Sequence, residues 1–243
     1  VLFGAKRLLS YYDYLGKETF EIYQPCKIFK AISESNEKDF AILVSGDVGF
    51  YSAATKLTKY LSDFNIKLVP GISTLNSFFA KLKLPWQWAK VISCHGRNPN
   101  IADTVRRNEY TFCLTDNKIN NIGSALIEAD LSDIKIFVGE NLESDDEKVY
   151  EVGLNDLLNN AFPSLTVLLI VNENFENRIY FGIPDDLFVR EKTVPMTKSE
   201  IRAICLSKLN IKPDSICLDV GSGTGSVAIE MALAVNDGQV VAL

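Results

Sequence analysis

Residues 41–47 read Ala41-Ile42-Leu43-Val44-Ser45-Gly46-Asp47, a short apolar run that a polar turn closes. Apolar residues then repeat at helical spacing over residues 53–61, and a second apolar run, at 66–69, ends at Pro70-Gly71. A further helix over 75–82 is predicted, because its large apolar residues fall at i, i+3, i+4 and i+7. Two successive strand–turn–helix units favour an α/β fold.

Four further apolar runs continue this alternation, at residues 89–93, 111–115, 135–138 and 165–171. The last is apolar throughout except for Thr166, so we predict a central strand that is buried on both faces. The residues that follow are polar and irregular. We therefore divide the chain into a first domain at 1–175, a linker at 176–194 and a second domain at 195–243.

The composition is that of a soluble globular protein, with 47% hydrophobic residues in 243. No apolar run approaches the roughly 20 residues that a bilayer requires, and the net charge of −6 argues against nonspecific nucleic-acid binding. The five cysteines are scattered and form no CxxC pair, so we predict reduced thiols and no metal site. We expect a cytoplasmic protein that binds neither membrane nor nucleic acid.

Both ends of the chain resemble the inside of a domain. The chain starts at Val1-Leu2-Phe3-Gly4 without methionine, and it stops in an apolar run at Val240-Val241-Ala242-Leu243. Because natural termini are usually polar and lie at the surface, we interpret the chain as a piece of a longer polypeptide. On this interpretation the N-terminal strand of the first domain and the C-terminal part of the second are missing.

Alternating glycines lie near the C-terminus, in Gly221-Ser222-Gly223-Thr224-Gly225. A strand at 215–220 precedes them, and a helix at 226–234 and a strand at 239–243 follow, which predicts a βαβ unit. Glycine lets the backbone approach a ligand closely and adopt positive φ. A dinucleotide fingerprint would need a third glycine at Ser226. The pattern predicts a nucleotide-type cofactor, and the alternative is a tight turn without a ligand.

A helix start is predicted upstream of this loop. Thr197 and Glu200 have the spacing of a capping box. The apolar stripe expected behind it consists of Ile201, Ile204, Cys205 and Leu209.

The second domain resembles a known family. Asp219-x-Gly221-x-Gly223-x-Gly225 is similar to motif I of the Rossmann-like class I S-adenosylmethionine methyltransferases. Together with Val194-Pro195-Met196-Thr197-Lys198-Ser199-Glu200, it resembles the start of the decarboxylating cobalt-precorrin-6B methyltransferase family. The resemblance implies that S-adenosylmethionine contacts Thr197 in addition to the loop, whereas the alternative makes Thr197 a helix cap only. The loop contacts it implies are Gly221, Ser222, Gly223, Thr224 and Gly225.

The first domain resembles the tetrapyrrole methylase family, in the branch that methylates precorrin carbon 5. The resemblance rests on residues 4–9, 44–52, 69–74 and 93–97, with Val48 where the family usually has proline. It implies a fold of two α/β subdomains that hold S-adenosylmethionine in the cleft between them. The cofactor contacts it implies are Gly46, Asp47, Phe50, Ser73, Thr74, Leu114 and Gly153.

Substrate contacts are predicted at His95 and Arg97. His95 is the only histidine, and it is either a polar residue that orients the loop or a group that acts on the substrate. Arg97, Arg106 and Arg107 are candidates for binding the carboxylates of a precorrin, because the guanidinium matches carboxylates with two hydrogen bonds. For Arg106 and Arg107 the alternative of solvated surface arginines is favoured.

Two such domains in this order resemble the decarboxylating precorrin-6Y C5,15-methyltransferases of cobalamin biosynthesis. The resemblance implies a homo-oligomer that methylates a precorrin or cobalt-precorrin. The first domain would act on carbon 5, and the second on carbon 15, with loss of CO₂ from the acetate chain on carbon 12. The alternatives are a methyltransferase for another substrate and a module that binds S-adenosylmethionine or a tetrapyrrole without turnover.

Overall fold

The chain forms two compact α/β units, Val1–Glu176 and Asn177–Leu243. The computed structural model describes residues 1–95, 99–116, 118–176, 182–190, 194–235 and 238–243.

The first unit opens with a small parallel sheet in the order β2-β1-β3. Its strands are β1 (Leu2–Phe3), β2 (Thr19–Phe20) and β3 (Ala41–Ile42). Its helices are α1 (Lys6–Ser10), α2 (Pro25–Ser33) and α3 (Ala54–Tyr60), with a 3₁₀ turn at Asp13–Leu15. Phe3, Ile28 and Leu57 bring the sheet and two of the helices together in one buried cluster.

A five-stranded mixed sheet forms the second half of this unit, in the order β4-β5-β8-β6-β7. Only β4 and β5 pair in parallel; the other three pairings are antiparallel. The strands are β4 (Lys90–Ser93), β5 (Tyr110–Leu114), β6 (Lys135–Glu140), β7 (Lys148–Val152) and β8 (Thr166–Val171). The helices are α4 (Thr74–Leu82), α5 (Ile101–Arg107), α6 (Ile119–Glu128) and α7 (Asp156–Asn159).

Strand β8 lies between β5 and β6, and all six of its residues are buried. The predicted central strand is therefore confirmed. Val167 and Leu169 pack with Phe78 of α4 on one face, whereas Leu168 and Ile170 join the cluster of α5, α6 and α7 on the other. Alternation of side chains along the strand produces these two cores.

Gly139 allows helix α4 to approach the sheet closely. A Cβ at this position would lie 2.8 Å from two ring carbons of Phe78 and 3.1 Å from Val167. The absence of a side chain at Gly139 of β6 thus sets how closely α4 packs against the sheet.

The strand predicted at residues 66–69 is wrong. These residues form no ladder in the described part of the chain, and β3 is shorter than the apolar run at 41–44. A cavity of about 1000 Å³ separates the two segments and is lined by Ala41, Ile42, Leu68 and Val69 among others. A strand needs a hydrogen-bonded neighbour, and residues 66–69 face this cavity instead.

The second unit contains the expected βαβ arrangement. Strands β9 (Ile216–Asp219) and β10 (Gln239–Ala242) pair in parallel, with Ile216 opposite Gln239. Helix α9 (Ser226–Ala234) connects them, and it begins and ends where the sequence predicts. Helix α8 (Ser199–Leu209) and a 3₁₀ turn at Asp185–Leu187 precede them.

Helix α8 contradicts both the predicted cap and the predicted stripe. Lys198 occupies the N-cap without a side-chain bond, the Thr197 carbonyl accepts a bond from Arg202, and the Glu200 carboxylate accepts from the Ser199 hydroxyl. The four residues of the predicted stripe are exposed, whereas Arg202 is fully buried. The buried face of α8 is the one that carries Arg202, because its guanidinium has its ionic partners there.

All five cysteines are free thiols. Burial raises the pKa of Cys113 on β5 well above its usual value, so that this thiol stays neutral. No helix within the described ranges has the length and apolar character needed to span a membrane.

Leu168→Ala should test the central role of β8. Leu168 is 0% exposed, so truncation should cost about 2–5 kcal/mol of unfolding free energy through lost burial and a cavity. Leu165→Ala is the matched control, because Leu165 precedes the same strand and is 51% exposed. Its expected cost is within about 0.5 kcal/mol. Urea unfolding followed by circular dichroism measures both, and equal losses would contradict this assignment of the core.

Candidate functional site

A cleft of about 690 Å³ lies in the first unit, where loops that follow β3 and β5 meet the start of α4. Its volume is within the roughly 300–1,000 Å³ of small-molecule sites. Six of the seven cofactor contacts predicted for this unit line it, together with His95. They are Gly46, Asp47, Phe50, Ser73, Thr74 and Leu114.

Asp47 joins the two loops that form one wall of the cleft. Its Oδ1 accepts a hydrogen bond from the Gly49 N–H at 2.7 Å, and its Oδ2 accepts one from the Gly71 N–H at 3.3 Å. A Cβ on Gly71 would lie 2.4 Å from the Gly46 carbonyl oxygen, so the loops touch through backbone. The Asp47 carboxylate thus holds the two loops together.

The N-terminus of α4 opens into this cleft. Ser73 is the N-cap, and its Oγ accepts a hydrogen bond from the Asn76 N–H at 3.1 Å. The first turn of a helix carries partial positive charge and favours hydrogen-bond acceptors. Ser73 and Thr74 therefore lie where a polar ligand group would be stabilised.

Sequence reasoning missed a carboxylate on the cleft wall, that of Glu143. Its Oε1 accepts a hydrogen bond from the Ser77 hydroxyl at 2.5 Å and lies 3.0 Å from the Lys81 Nζ. Its N–H donates to Glu147 Oε2 at 2.6 Å, which helps to hold a left-handed backbone of φ +65°. The Ser77 hydroxyl and then the Lys81 ammonium lower the pKa of Glu143, so the group is a fixed anion at neutral pH.

No local pattern could have revealed Glu143, because Ser77 and Glu143 are 66 positions apart. Thr115 and Tyr51 also line the cleft and carried no signal in the sequence. Tyr51 has a φ of +47°, an unusual conformation for an aromatic residue.

The remaining candidates of the first unit lie elsewhere. Gly153 does not line the cleft; it follows β7, and its N–H donates to Asp156 Oδ2 at 2.7 Å at the start of α7. Arg106 donates to the Ala129 carbonyl at 2.8 Å, and Arg107 pairs with Asp103 at 2.9 Å. Both arginines are half-buried and bonded within the unit, so they differ from the solvated surface arginines of the alternative. Arg97 lies outside the described residues.

The second unit carries the glycine loop between β9 and α9. Gly221, Gly223 and Gly225 have φ values of +76°, +54° and +72°, all in the left-handed region that favours glycine. A Cβ on Gly221 would meet nothing within 4 Å, and one on Gly223 would lie 3.5 Å from the Pro195 carbonyl oxygen. The loop thus faces open space beside the segment that contains Thr197.

Asp219 ends β9 directly before this loop. Its Oδ2 is buried and has no hydrogen-bond partner among the described residues. A buried carboxylate oxygen without a partner is costly, and a donor group on a ligand would satisfy it. The second unit therefore presents an open glycine turn beside an unpaired acceptor.

Comparison with known proteins gives each unit a match. Residues 26–158 match the family Tetrapyrrole (Corrin/Porphyrin) Methylases, and residues 186–243 match the Precorrin methyltransferase domain. The probable cobalt-precorrin-6B C(15)-methyltransferase (decarboxylating) of Saccharolobus solfataricus is 54% identical over 65 residues, which are 26% of this chain and 33% of that protein. The chain thus spans about a third of the length of the curated relatives it matches.

Solved structures share the fold of the first unit. The methyltransferase CobJ aligns with a TM-score of 0.56 and 14% identity over 71% of this chain and 83% of its own. Uroporphyrin-III C-methyl transferase from Thermus thermophilus, complexed with S-adenosylhomocysteine, aligns with a TM-score of 0.54 and 16% identity over 69% and 83%. At such identities the likeness concerns the fold alone. Because residues 26–158 are more than half of the chain, the chain belongs to the tetrapyrrole (corrin/porphyrin) methylases.

Proposed function

We propose that this chain is part of an S-adenosylmethionine-dependent methyltransferase that acts on a precorrin or cobalt-precorrin in cobalamin biosynthesis. The first unit methylates carbon 5, and the second methylates carbon 15 and promotes loss of CO₂ from the acetate chain on carbon 12. One observation carries this proposal: the chain contains two candidate cofactor sites of different construction, the cleft of the first unit and the glycine loop of the second.

The residues of the first cleft fit S-adenosylmethionine. Phe50 and Leu114 supply apolar wall, while Ser73 and Thr74 offer polar groups at the start of α4. The cofactor carries a sulfonium and an ammonium, and the anion of Glu143 complements this positive charge.

The residues of the second site fit the same cofactor in another way. The loop at Gly221 admits a ligand close to its backbone, and the unpaired oxygen of Asp219 can accept from an ammonium or hydroxyl group. Thr197 does not cap α8 by its side chain, so its hydroxyl is not committed to that role.

The bound cofactor supplies an activated methyl group. The chain has only to orient the macrocycle carbon towards that group and exclude water. Such alignment can be worth roughly 7–11 kcal/mol. His95 is exposed at the cleft, where it would contact the substrate and not the cofactor loops.

We also propose that a strand from outside residues 1–243 fills the cavity between β3 and residues 66–69. Ala41 and Leu43 donate their N–H groups towards β1, so the backbone groups between them face the cavity. The unpaired edge of β3 is a template for a further strand, and residues 66–69 would then pair with that strand from the other side. A glycine-rich strand there would adjoin Gly46 and complete the first cofactor site.

Hydrogen exchange in the full-length protein tests the added strand. Amides of residues 66–69 should exchange at least ~100-fold more slowly than in an unstructured peptide, because a ladder would protect them. Residues 17 and 18, which are exposed and irregular and lie away from the cavity, are the control and should exchange fast. Fast exchange in both segments would rule out the strand.

Gly221→Ala in the full-length protein tests the second site. With S-adenosylmethionine and a precorrin-6 substrate, we expect methyl transfer to carbon 5 to continue and transfer to carbon 15 to fall about tenfold or more. The reason is that the new methyl group enters the space that the cofactor occupies. Gly16→Ala is the matched control, because Gly16 has a φ of +57° and nothing within 4 Å of a built Cβ. Cofactor binding without transfer by the unaltered protein would refute the enzyme assignment.

Glu143→Gln tests the first site. Loss of the anion should raise the KM for S-adenosylmethionine in carbon-5 methylation about fivefold, equivalent to ~1 kcal/mol for a partly exposed charge. Glu147→Gln is the matched control, since Glu147 also pairs with Lys81, at 2.9 Å, but does not line the cleft. An equal effect of both substitutions would mean that Glu143 affects cofactor binding only by holding the loop between β6 and β7, and not by its charge in the cleft.

A further inference from the structure

Arg202 on α8 is fully buried, which is rare for a charged residue. Its Nε donates to Glu230 Oε1 at 2.6 Å, and its Nη1 donates to Asp185 Oδ1 at 2.8 Å. Nη1 also donates to the Thr197 carbonyl, and Nη2 donates to the Ile183 carbonyl. All three guanidinium nitrogens are therefore used, and they bind four acceptors in different parts of the second unit.

Glu230 on α9 extends this network. Its side chain is 1% exposed, its Oε1 accepts from the Ile183 N–H at 3.0 Å, and its Oε2 accepts from the Gly182 N–H at 3.1 Å. Arg202 and Glu230 thus hold both backbone groups of Ile183 between them. The guanidinium also lies 4.8 Å from the centroid of the Phe188 ring.

Their partners favour the charged forms of Arg202 and Asp185. Burial lowers the pKa of Arg202, but its hydrogen bonds to Glu230 and Asp185 outweigh this effect and leave the pKa raised. The hydrogen bond from Arg202 lowers the pKa of Asp185. Arg202 and Asp185 thus form an ion pair at neutral pH.

Stability alone explains such a cluster poorly, because a buried ion pair is often no better than apolar residues of similar volume. What the guanidinium provides is a rigid fork with fixed directions, which a lysine ammonium lacks. Here the fork joins α9, the helix that follows the glycine loop, to Thr197, which lies two residues before the start of α8. The Pro195 carbonyl next to the loop belongs to this same segment.

We propose that Arg202 is a positioning residue for the second cofactor site. It does not touch S-adenosylmethionine; it fixes the Thr197 backbone relative to α9 and so sets the separation of Thr197 from the glycine loop. This inference rests on the proposed function of the second unit. It gives Arg202 a role in cofactor binding that involves no contact with the cofactor.

Calorimetric titration of the full-length protein with S-adenosylmethionine tests this inference. The unaltered protein should bind two molecules per chain. Arg202→Lys keeps the charge but loses the fork, so the Kd of the second site should rise about tenfold while that of the first is unchanged. Lys198→Met is the control. The exposed Lys198 ammonium lies 3.2 Å from Asp185 Oδ2, and removing this ammonium should leave the bonds of Arg202 intact.

Limited proteolysis of the unliganded variant separates positioning from folding. A folded fraction of one half raises an apparent Kd only about twofold, so a tenfold rise in a variant that is at least half folded comes from the site itself. If Arg202→Lys falls below that fraction, Glu230→Gln, which keeps the shape of Glu230, provides the decisive titration and should raise the second Kd about three- to tenfold. If the unaltered protein binds only one molecule and Gly221→Ala leaves that binding unchanged, the proposed function of the second unit fails and this inference with it. If it binds two, and the decisive variant binds the second with unaltered Kd, the inference alone is overturned.

Discussion

Strand β8 is buried along its whole length, and both cores of the five-stranded sheet depend on that burial. Its odd-numbered residues face α4, and its even-numbered ones face α5, α6 and α7. A strand with two apolar faces can be stable only between two layers. The layer formed by α4 has a second consequence, since the same helix that covers the sheet also brings Ser73 and Thr74 to the cleft.

Glycine has a different structural role in each of the two candidate sites. At Gly71 the lack of a side chain lets two loops touch, with Asp47 bonded across them. At Gly221 the same lack leaves open space in front of the backbone. The first arrangement builds a wall of the cleft, and the second leaves the backbone open to its surroundings. Each unit then adds a carboxylate near its glycines, Glu143 in one and Asp219 in the other, and both suit a cofactor with positive charge.

Local patterns predicted much of this architecture. Helix α9, strand β8 and the glycine loop follow from periodicity and turn chemistry within about ten neighbouring residues. The errors arose where distant residues decide. Residues 66–69 form no strand because no partner strand lies beside them among the described residues, and Lys198 takes the N-cap position that was predicted for Thr197. The bond between Ser77 and Glu143 was equally invisible, because a contact across 66 positions leaves no mark in either local sequence.

The close contact between Gly139 and Phe78 links the interior of the sheet to the cleft. Phe78 lies on α4 four positions after Thr74, so a shift of its ring would move the helix that lines the cleft. An alanine at 139 would fit only beside a smaller residue at 78. Among relatives of this chain the two positions should therefore vary together, and such covariation would record a constraint that the ligand site imposes on the core.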